Sequence, residues 1–216
     1  MDMVTGVGVL DKAMAVLHAV VESPCTLAEL QESTALPRAT AHRLAAALEV
    51  HGLLRRDDLG RYELGLALVS LGQVAAERFP LVDAGRAVLD RLRDESGESV
   101  QLFVREGGQR RCVVSLESPH GLRWIVPQGS VLPLDVGSAG RVLSGEESRY
   151  GWVQSVGERE AGVASVSAPV AAVDGGVLAA VSVSGPIERL TRQPGKRFGA
   201  AVVAAADEIA AALRRS

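Results

Sequence analysis

The stretch from Leu36 to Gly65, LPRATAHRLAAALEVHGLLRRDDLGRYELG, constrains this chain more than any other. Ala41, Leu44, Ala45 and Leu48 recur at i, i+3, i+4 and i+7, the spacing of a buried helical stripe. Arg38, Thr40, His42 and Arg43 fall at the start of that helix and away from the stripe. Pro37 suits the first helical position, where its missing N–H costs nothing. Gly52 suits the end. Two short strand-like runs, Leu53 to Arg56 and Arg61 to Leu64, then flank the turn-rich Asp57-Asp58-Leu59-Gly60. This pattern predicts a wing that carries Arg55, Arg56 and Arg61. A helix with a polar start, followed by an arginine-bearing hairpin, suits the DNA-reading end of a winged helix-turn-helix.

The residues upstream complete the unit. Leu10, Ala13, Met14, Leu17 and Val21 form a second helical stripe, and Ser23-Pro24-Cys25 ends that helix. Thr26-Leu27-Ala28-Glu29 has the form of a capping box, opening a short helix that runs to about Thr34. Ala35-Leu36 make the turn. A generic three-helix bundle with a solvated charged face is the bland alternative, but it gives no reason for the wing.

A chain of 216 residues permits one or two domains. No apolar run approaches the roughly 20 residues of a membrane span, and no basic segment followed by an apolar one opens the chain. The expected setting is therefore the cytoplasm. Cys25 and Cys112 fall in different expected domains and match no metal spacing, so they read as reduced, half-buried thiols. The net charge of −3 argues mildly against a nonspecific nucleic-acid binder. Residues 1–65 carry Lys12, Arg38, Arg43, Arg55, Arg56 and Arg61 against nine carboxylates. Five of these six cations nevertheless sit on the expected recognition helix and wing.

Residues 1–65 thus read as a DNA-binding domain, 66–80 as a linker helix that Pro80 interrupts, and 81–216 as an α+β domain. In the last, a helix over Leu81 to Asp94 precedes strands at Ser99–Arg105 and Arg111–Glu117. Pro119 to Gly129 reads as a loop with a strand-like centre at Leu122–Val126. A hairpin, Val163–Val173 and Val177–Ser184, turns at Asp174-Gly175-Gly176. An Ala-rich helix from about Arg197 to Arg214 closes the chain.

Ser165, Ser167, Ser182 and Ser184 alternate along that hairpin, so Ser182 and Ser184 share one face and Val181 and Val183 the other. Periodicity alone leaves two readings open, a hydroxyl-lined site for a small polar metabolite and a solvent-facing strand surface. Enzyme motifs are absent: there is no G-x-S-x-G, P-loop, G-x-G-x-x-G, H-E-x-x-H or C-x-x-C. His18 reads as a packing residue inside the first helix, and His51 as a helix-end residue. A His120–Cys112 pair would need a coincidence of folding. No cofactor or metal site is expected.

LPRATAHRLAAALEVHGLL followed by GRYELG closely resembles the N-terminal signature of the IclR family of bacterial transcription regulators. GVASVSAPVAAVDGGVLAAVSVSGPIERL, Gly162 to Leu190, resembles that family's C-terminal signature. GVGVLDKA, GESVQLF and SVSGPIERLTR resemble more closely its NdgR-type actinobacterial branch, regulators of amino-acid and notably leucine biosynthesis. The resemblance implies a GAF-like effector domain, a homodimer or tetramer, a double-stranded DNA operator, and a small polar metabolite such as an amino acid or oxo-acid. It places Ser138 and Ala139 in a loop-to-helix turn whose amides hold a carboxylate, and Ser165, Ser182 and Ser184 on the pocket-lining hairpin. Glyoxylate-binding members carry Asp where this chain has Ser155 and Cys where it has Ser165, which argues against a two-carbon oxo-acid. The competing reading from another class is a ligand-independent winged-helix module that binds protein.

The family's spacing also differs from this chain at one place. Roughly thirty or more residues, usually two helices, separate the helix beginning near Ser138 from the motif matching Gly151-Trp152, whereas only Ser144 to Tyr150 intervene here. The expectation is that a lid-forming segment is missing between Leu143 and Gly151, and that the helix break near Leu143 is an artefact.

Overall fold

The computed structural model describes residues 7–21, 23–77, 80–146, 148–173 and 175–215. The chain divides into two compact units, Met1–Arg78 and Phe79–Ser216. No helix among the described residues is long and apolar enough to cross a membrane.

The first unit contains α1 (Gly8–Ala19), α2 (Leu27–Thr34), α3 (Arg38–Val50), β1 (Leu54–Arg56), β2 (Tyr62–Leu64) and α4 (Leu66–Glu77). Thr26 and Glu29 form the expected capping box: the Glu29 amide donates to Thr26 Oγ1 at 3.3 Å, and the Thr26 amide donates to Glu29 Oε2 at 2.6 Å. Ala35 takes a left-handed conformation, which turns the chain from α2 into α3. Pro37 is the N-cap of α3 and not its first helical residue, with its carbonyl accepting from the Thr40 and Ala41 amides. At the other end, Gly52 at φ +68 donates to the Glu49 carbonyl while the Leu53 amide reaches back to Leu48, a Schellman ending.

A core of Val16, Val20, Cys25, Leu30, Ala45, Leu48, Leu54 and Tyr62 holds α1, α2, α3 and the β1–β2 hairpin together. It corrects the reading of α1. Val16 and Val20 are buried with Ala13 and Leu17 beside them, whereas Leu10, Met14 and Val21 are exposed. His18 is exposed as well. The helix carries apolar residues on two faces, and α2 and α3 cover only one. Cys25 is buried and forms a β-bridge with Tyr62, pinning the α1–α2 loop to the wing.

The second unit contains α5 (Leu81–Ser96), β3 (Ser99–Glu106), β4 (Gln109–Leu116), β5 (Val131–Pro133), α6 (Ser138–Leu143), β6 (Val153–Val156), β7 (Val163–Ala171), β8 (Val177–Pro186), α7 (Ile187–Leu190) and α8 (Pro194–Leu213). Among the described residues its strands form one six-stranded sheet in the order β5-β4-β3-β8-β7-β6, antiparallel throughout. Asp174, in the expected β7–β8 turn, lies outside the described residues. The segment Leu122–Val126 forms no strand; Leu122 and Ile125 are exposed while Val126 is buried. The edge strand pairing with β4 is instead β5.

The sheet has an apolar face and a mixed face. Val100, Leu102, Val114, Val166, Val181 and Val183 pack with Leu89 and Leu92 of α5 and with Val202 and Ile209 of α8. Burying one such side chain contributes about 1.5–3 kcal/mol. The opposite face carries a smaller cluster of Phe103, Cys112, Val126, Leu134, Ala139, Val142, Leu143, Val153 and Ala180, with serines alongside.

The connection from α6 to β6 is short but closed. Ser144 caps α6, Gly145 at φ +83 donates to the Val142 carbonyl, and Glu146 donates to the Arg141 carbonyl. Gly151 then donates to Ser148, and Tyr150 stacks on Trp152 with ring centroids 5.3 Å apart. In this chain, α6 ends at Leu143 in a capped terminus.

Candidate nucleic-acid interface and effector pocket

On α3, Ala41, Ala45 and Leu48 face the core and Leu44 is half-buried, which turns Arg38, His42 and Arg43 outward. Thr40 is half-buried beside them. Arg38 reaches Gln31 of α2 at 3.4 Å. The solvent-facing start of α3 is thus polar and cationic, with no acidic residue in its first turn.

The wing arginines have different surroundings. Arg55 pairs across the hairpin with Glu63 at 2.6 Å and stays largely exposed. Arg56 donates to the Tyr62 hydroxyl at 2.6 Å and to the Gly60 carbonyl at 3.1 Å, pairs with Glu49 at 3.3 Å, and lies over the Tyr62 ring. Arg61 is held by Asp57, whose carboxylate also accepts from the Leu59 and Arg61 amides. Arg56 and Arg61 therefore build the wing, and Arg55 is the arginine least committed within it.

In the second unit the expected serines converge. Pairing sets Ser165 opposite Ser184 and Ser155, and Ser182 opposite Ser167 and Gln101, so the polar residues form rows across β6, β7, β8 and β3. Ser138 Oγ, from the start of α6, lies 2.7 Å from both Ser165 Oγ and Ser167 Oγ, and Ser167 donates to Ser182 at 2.9 Å. Ser184 donates to Gln101 Oε1 at 2.8 Å. Ser138, Ala139, Ser155, Ser165, Ser182 and Ser184 line one cavity of about 40 Å³. Ser167 does not line it but links its walls from beneath. The strand face is enclosed, so the solvent-facing alternative for these serines does not hold.

Sequence reasoning missed the charged and aromatic part of this cavity. Gln101, Phe103, Arg110, Trp124 and Arg159 also line it. A bulge is responsible for one of them. Leu102 pairs with Val114 but Phe103 pairs with Cys112, leaving Val113 as an extra residue in β4. Beyond that bulge the alternation inverts, so Arg110 lines the cavity and Cys112 packs in the cluster beside it, while Val114 and Leu116 face the α5/α8 core. Arg110 donates to the Pro133 and Val136 carbonyls. Burial, together with repulsion from Arg159 and against the attraction of Asp135, pushes its guanidinium down to about 10. Gln101 could have been noticed as a polar residue between apolar neighbours in β3.

The turn expected to hold a carboxylate is already in contact with one. The Gly137 amide donates to Glu158 Oε2 at 3.1 Å, and Glu158 also pairs with Arg141 at 3.0 Å. Cys112 is buried, and burial pushes its thiol up to about 12, while His120 is exposed. The two form no nucleophile pair.

Comparison with known proteins follows the same two-part division. The IclR helix-turn-helix domain matches residues 9–58, and the bacterial transcriptional regulator IclR C-terminal domain matches 73–150 and 145–211. KipR of Bacillus subtilis, an HTH-type transcriptional regulator, is 34% identical over 133 residues, which is 61% of this chain and only 53% of KipR. The transcriptional repressor IclR of Escherichia coli is 24% identical over 240 positions, covering 93% of this chain and 88% of its own. About forty of those positions are filled by the repressor alone. The C-terminal match likewise breaks into two pieces that overlap at 145–150, where the expected segment is absent here. Among solved structures, an IclR homolog of Microbacterium hydrocarbonoxydans complexed with 4-hydroxybenzoate shares the fold at a TM-score of 0.80 and 22% identity, over 96% of this chain and 100% of its own. The Thermotoga maritima IclR shares it at 0.75 and 20% identity, over 95% and 98%. With a winged helix at one end, a serine-lined cavity in the sheet domain at the other, and family matches over both, this chain belongs to the IclR family of bacterial DNA-binding transcriptional regulators.

Proposed function

We infer that this regulator binds its operator as a homodimer through α3 and the wing, and that a small polar metabolite in the serine-lined cavity controls that binding. The outward-facing Arg38, His42 and Arg43 at the start of α3 are the observation that carries the DNA reading. Bases would be contacted from α3 in the major groove and phosphates from Arg55 in the wing. Arg56 and Arg61 support the wing and add positive potential to it.

Dimerisation rests on apolar surface. Leu10, Met14 and Val21 on and after α1, and Leu66, Val69, Leu71 and Val74 on α4, are all exposed. Exposed apolar residues in such number on two helices of one DNA-binding unit mark a protein contact surface. A second copy would also supply the two-fold symmetry that a pseudo-palindromic operator requires.

The regulated genes are those of amino-acid metabolism, with leucine biosynthesis foremost; this rests on the NdgR-type motifs. The protein acts in the cytoplasm and without catalysis. A ligand controls such a protein only if it binds one arrangement of the DNA heads better than another. Gel-shift titration of the upstream regions of its own and the leucine biosynthesis genes, with sedimentation of the free protein, tests the whole reading. Selective retardation by a dimer is expected; a monomer with no preference among sequences would refute it.

A further inference from the structure

The three wing arginines are each held by a carboxylate of their own unit, and the arginines at the start of α3 are not. Arg55 pairs with Glu63, Arg56 with Glu49 and Arg61 with Asp57. Residues 54–64 carry these three arginines against Asp57, Asp58 and Glu63, so the wing has no net charge. The first turn of α3, by contrast, holds no acidic residue. Among the described residues Arg38 and Arg43 form no ion pair, and Arg38 reaches the neutral Gln31.

The Arg55–Glu63 pair differs from the other two in the wing. Asp57 also accepts from two backbone amides, and Arg56 also contacts Tyr62 and Gly60, so those pairs build the hairpin. Glu63 stands directly across the β1–β2 ladder from Arg55, with its Oε1 2.6 Å from Arg55 Nη2. Among the described residues neither side chain has a second polar partner. Leu54 and Tyr62 alternate with them and fill the core, so this pair lies on the outer face of the hairpin. The Arg55 side chain is 58% exposed there, open to an anion from solvent.

A phosphate and a carboxylate compete for one guanidinium, because each offers two anionic oxygens to its donor fork. To take a DNA phosphate, Arg55 must leave Glu63 or draw that carboxylate toward the duplex, and either weakens binding. We propose that Glu63 is a built-in competitor of the DNA backbone, which occupies Arg55 in the free protein and lowers affinity for every sequence alike. This rests on the reading of Arg55 as a phosphate contact, and it adds the residue that weakens that contact. Phosphate contacts carry no sequence information, so a weakened wing leaves discrimination to α3. It also limits the hold on random DNA and lets a modest coupling energy release the operator.

The test uses the full-length protein and fluorescence anisotropy with two duplexes of equal length, one from the upstream region of its own gene and one of random sequence. Glu63→Gln keeps the size and the acceptor and removes the charge. It should tighten both duplexes by about threefold to fivefold at low salt, the upper reach of an exposed ion pair. The salt slope should steepen by up to about one unit. The affinity ratio between the duplexes should not move. In an Arg55→Ala background the same substitution should have no effect. Asp58 is exposed at the hairpin tip and forms no ion pair among the described residues, so Asp58→Asn removes one wing charge and should tighten binding less. Weaker binding by Glu63→Gln would show that Glu63 aims Arg55 at the phosphate, and would overturn the proposal. So would unchanged binding, an equal gain in Asp58→Asn, or a gain that survives in the Arg55→Ala background. Arg55→Ala alone separates the two failures. If it binds both duplexes as tightly as the protein itself, Arg55 makes no phosphate contact and the wing reading falls too. If it binds them more weakly, the outcomes above sink only the competitor.

Discussion

Ser138 Oγ, at the start of α6, stands 2.7 Å from Ser165 Oγ in the middle of β7. That contact ties the short helix to the sheet and sets two hydroxyls on one wall of the cavity. Ser165 in turn faces Ser184 across the β7–β8 pair, whose hydroxyl orients the buried Gln101 amide. Ser184→Ala removes that donor without adding volume. The variant should lose stabilisation by any ligand that binds the cavity and be less stable by about 1–3 kcal/mol, because the Gln101 carbonyl is left dry. Chemical denaturation and ligand thermal shifts of the pair of proteins check this.

Arg43→Ala should weaken specific operator binding by about 1–3 kcal/mol while leaving the circular dichroism spectrum intact, since the side chain is exposed on α3 opposite the Ala45/Leu48 stripe. A folded variant with unchanged affinity would remove Arg43 from the interface.

The wing arginines should separate by phenotype. Arg55→Ala should lower the salt slope of DNA binding by roughly one unit with little change in melting temperature. Arg56→Ala should lower the melting temperature as well, because it removes the contacts to Tyr62, Gly60 and Glu49. Equal behaviour of the two would contradict this division of roles.

Gly140→Ala should destabilise the second unit by about 1–3 kcal/mol through overpacking. An added Cβ would lie 2.3 Å from both Arg110 Nη1 and the Leu134 carbonyl oxygen. Because Arg110 would have to move, cavity ligands should bind more weakly, which calorimetric titration reads directly.

The Thr26 capping box should titrate. Hydrogen bonds from the Thr26 amide and hydroxyl hold Glu29 below the usual carboxylate value. A carboxylate depressed in the folded state adds stability above its unfolded pKa of about 4.3 and loses it as pH falls through the lower folded value. The melting-temperature gap between the protein and Glu29→Gln should therefore be present near neutral pH and close in acid. A gap constant down to strongly acidic pH would show that the Glu29 charge is irrelevant to the cap.

The sequence alone determined the features that depend on short-range periodicity and backbone chemistry. These were the capping box at Thr26, the α3 stripe, the glycine ending at Gly52, the wing, and the two faces of the Ser182/Ser184 strand. Each is set by residues within a few positions of one another, so local preference and final structure agree. Where several partners compete for one element, the sequence was ambiguous. Helix α1 has apolar residues on two faces, and only the packing of α2 and α3 decided that Val16 and Val20 go inward while Leu10 and Met14 stay out. The segment Leu122–Val126 looked extended, but β4 already had its edge partner in β5, and the segment became a loop that turns Trp124 toward the cavity.

The cavity's charge was decided by tertiary structure alone. Plain alternation would set Arg110 and Cys112 on the same face as Val114 and Leu116. The bulge at Val113 inverts that parity, and nothing local to the residues 109–116 reveals it, because a bulge is a property of the pairing between β3 and β4. Arg159 reaches the same cavity from the β6–β7 loop, and Gln101 from the middle of a strand otherwise rich in apolar residues. Hydroxyls at period two can be read from one strand. Two cations brought to one cavity from distant parts of the sheet domain cannot, because only the closed sheet makes them neighbours.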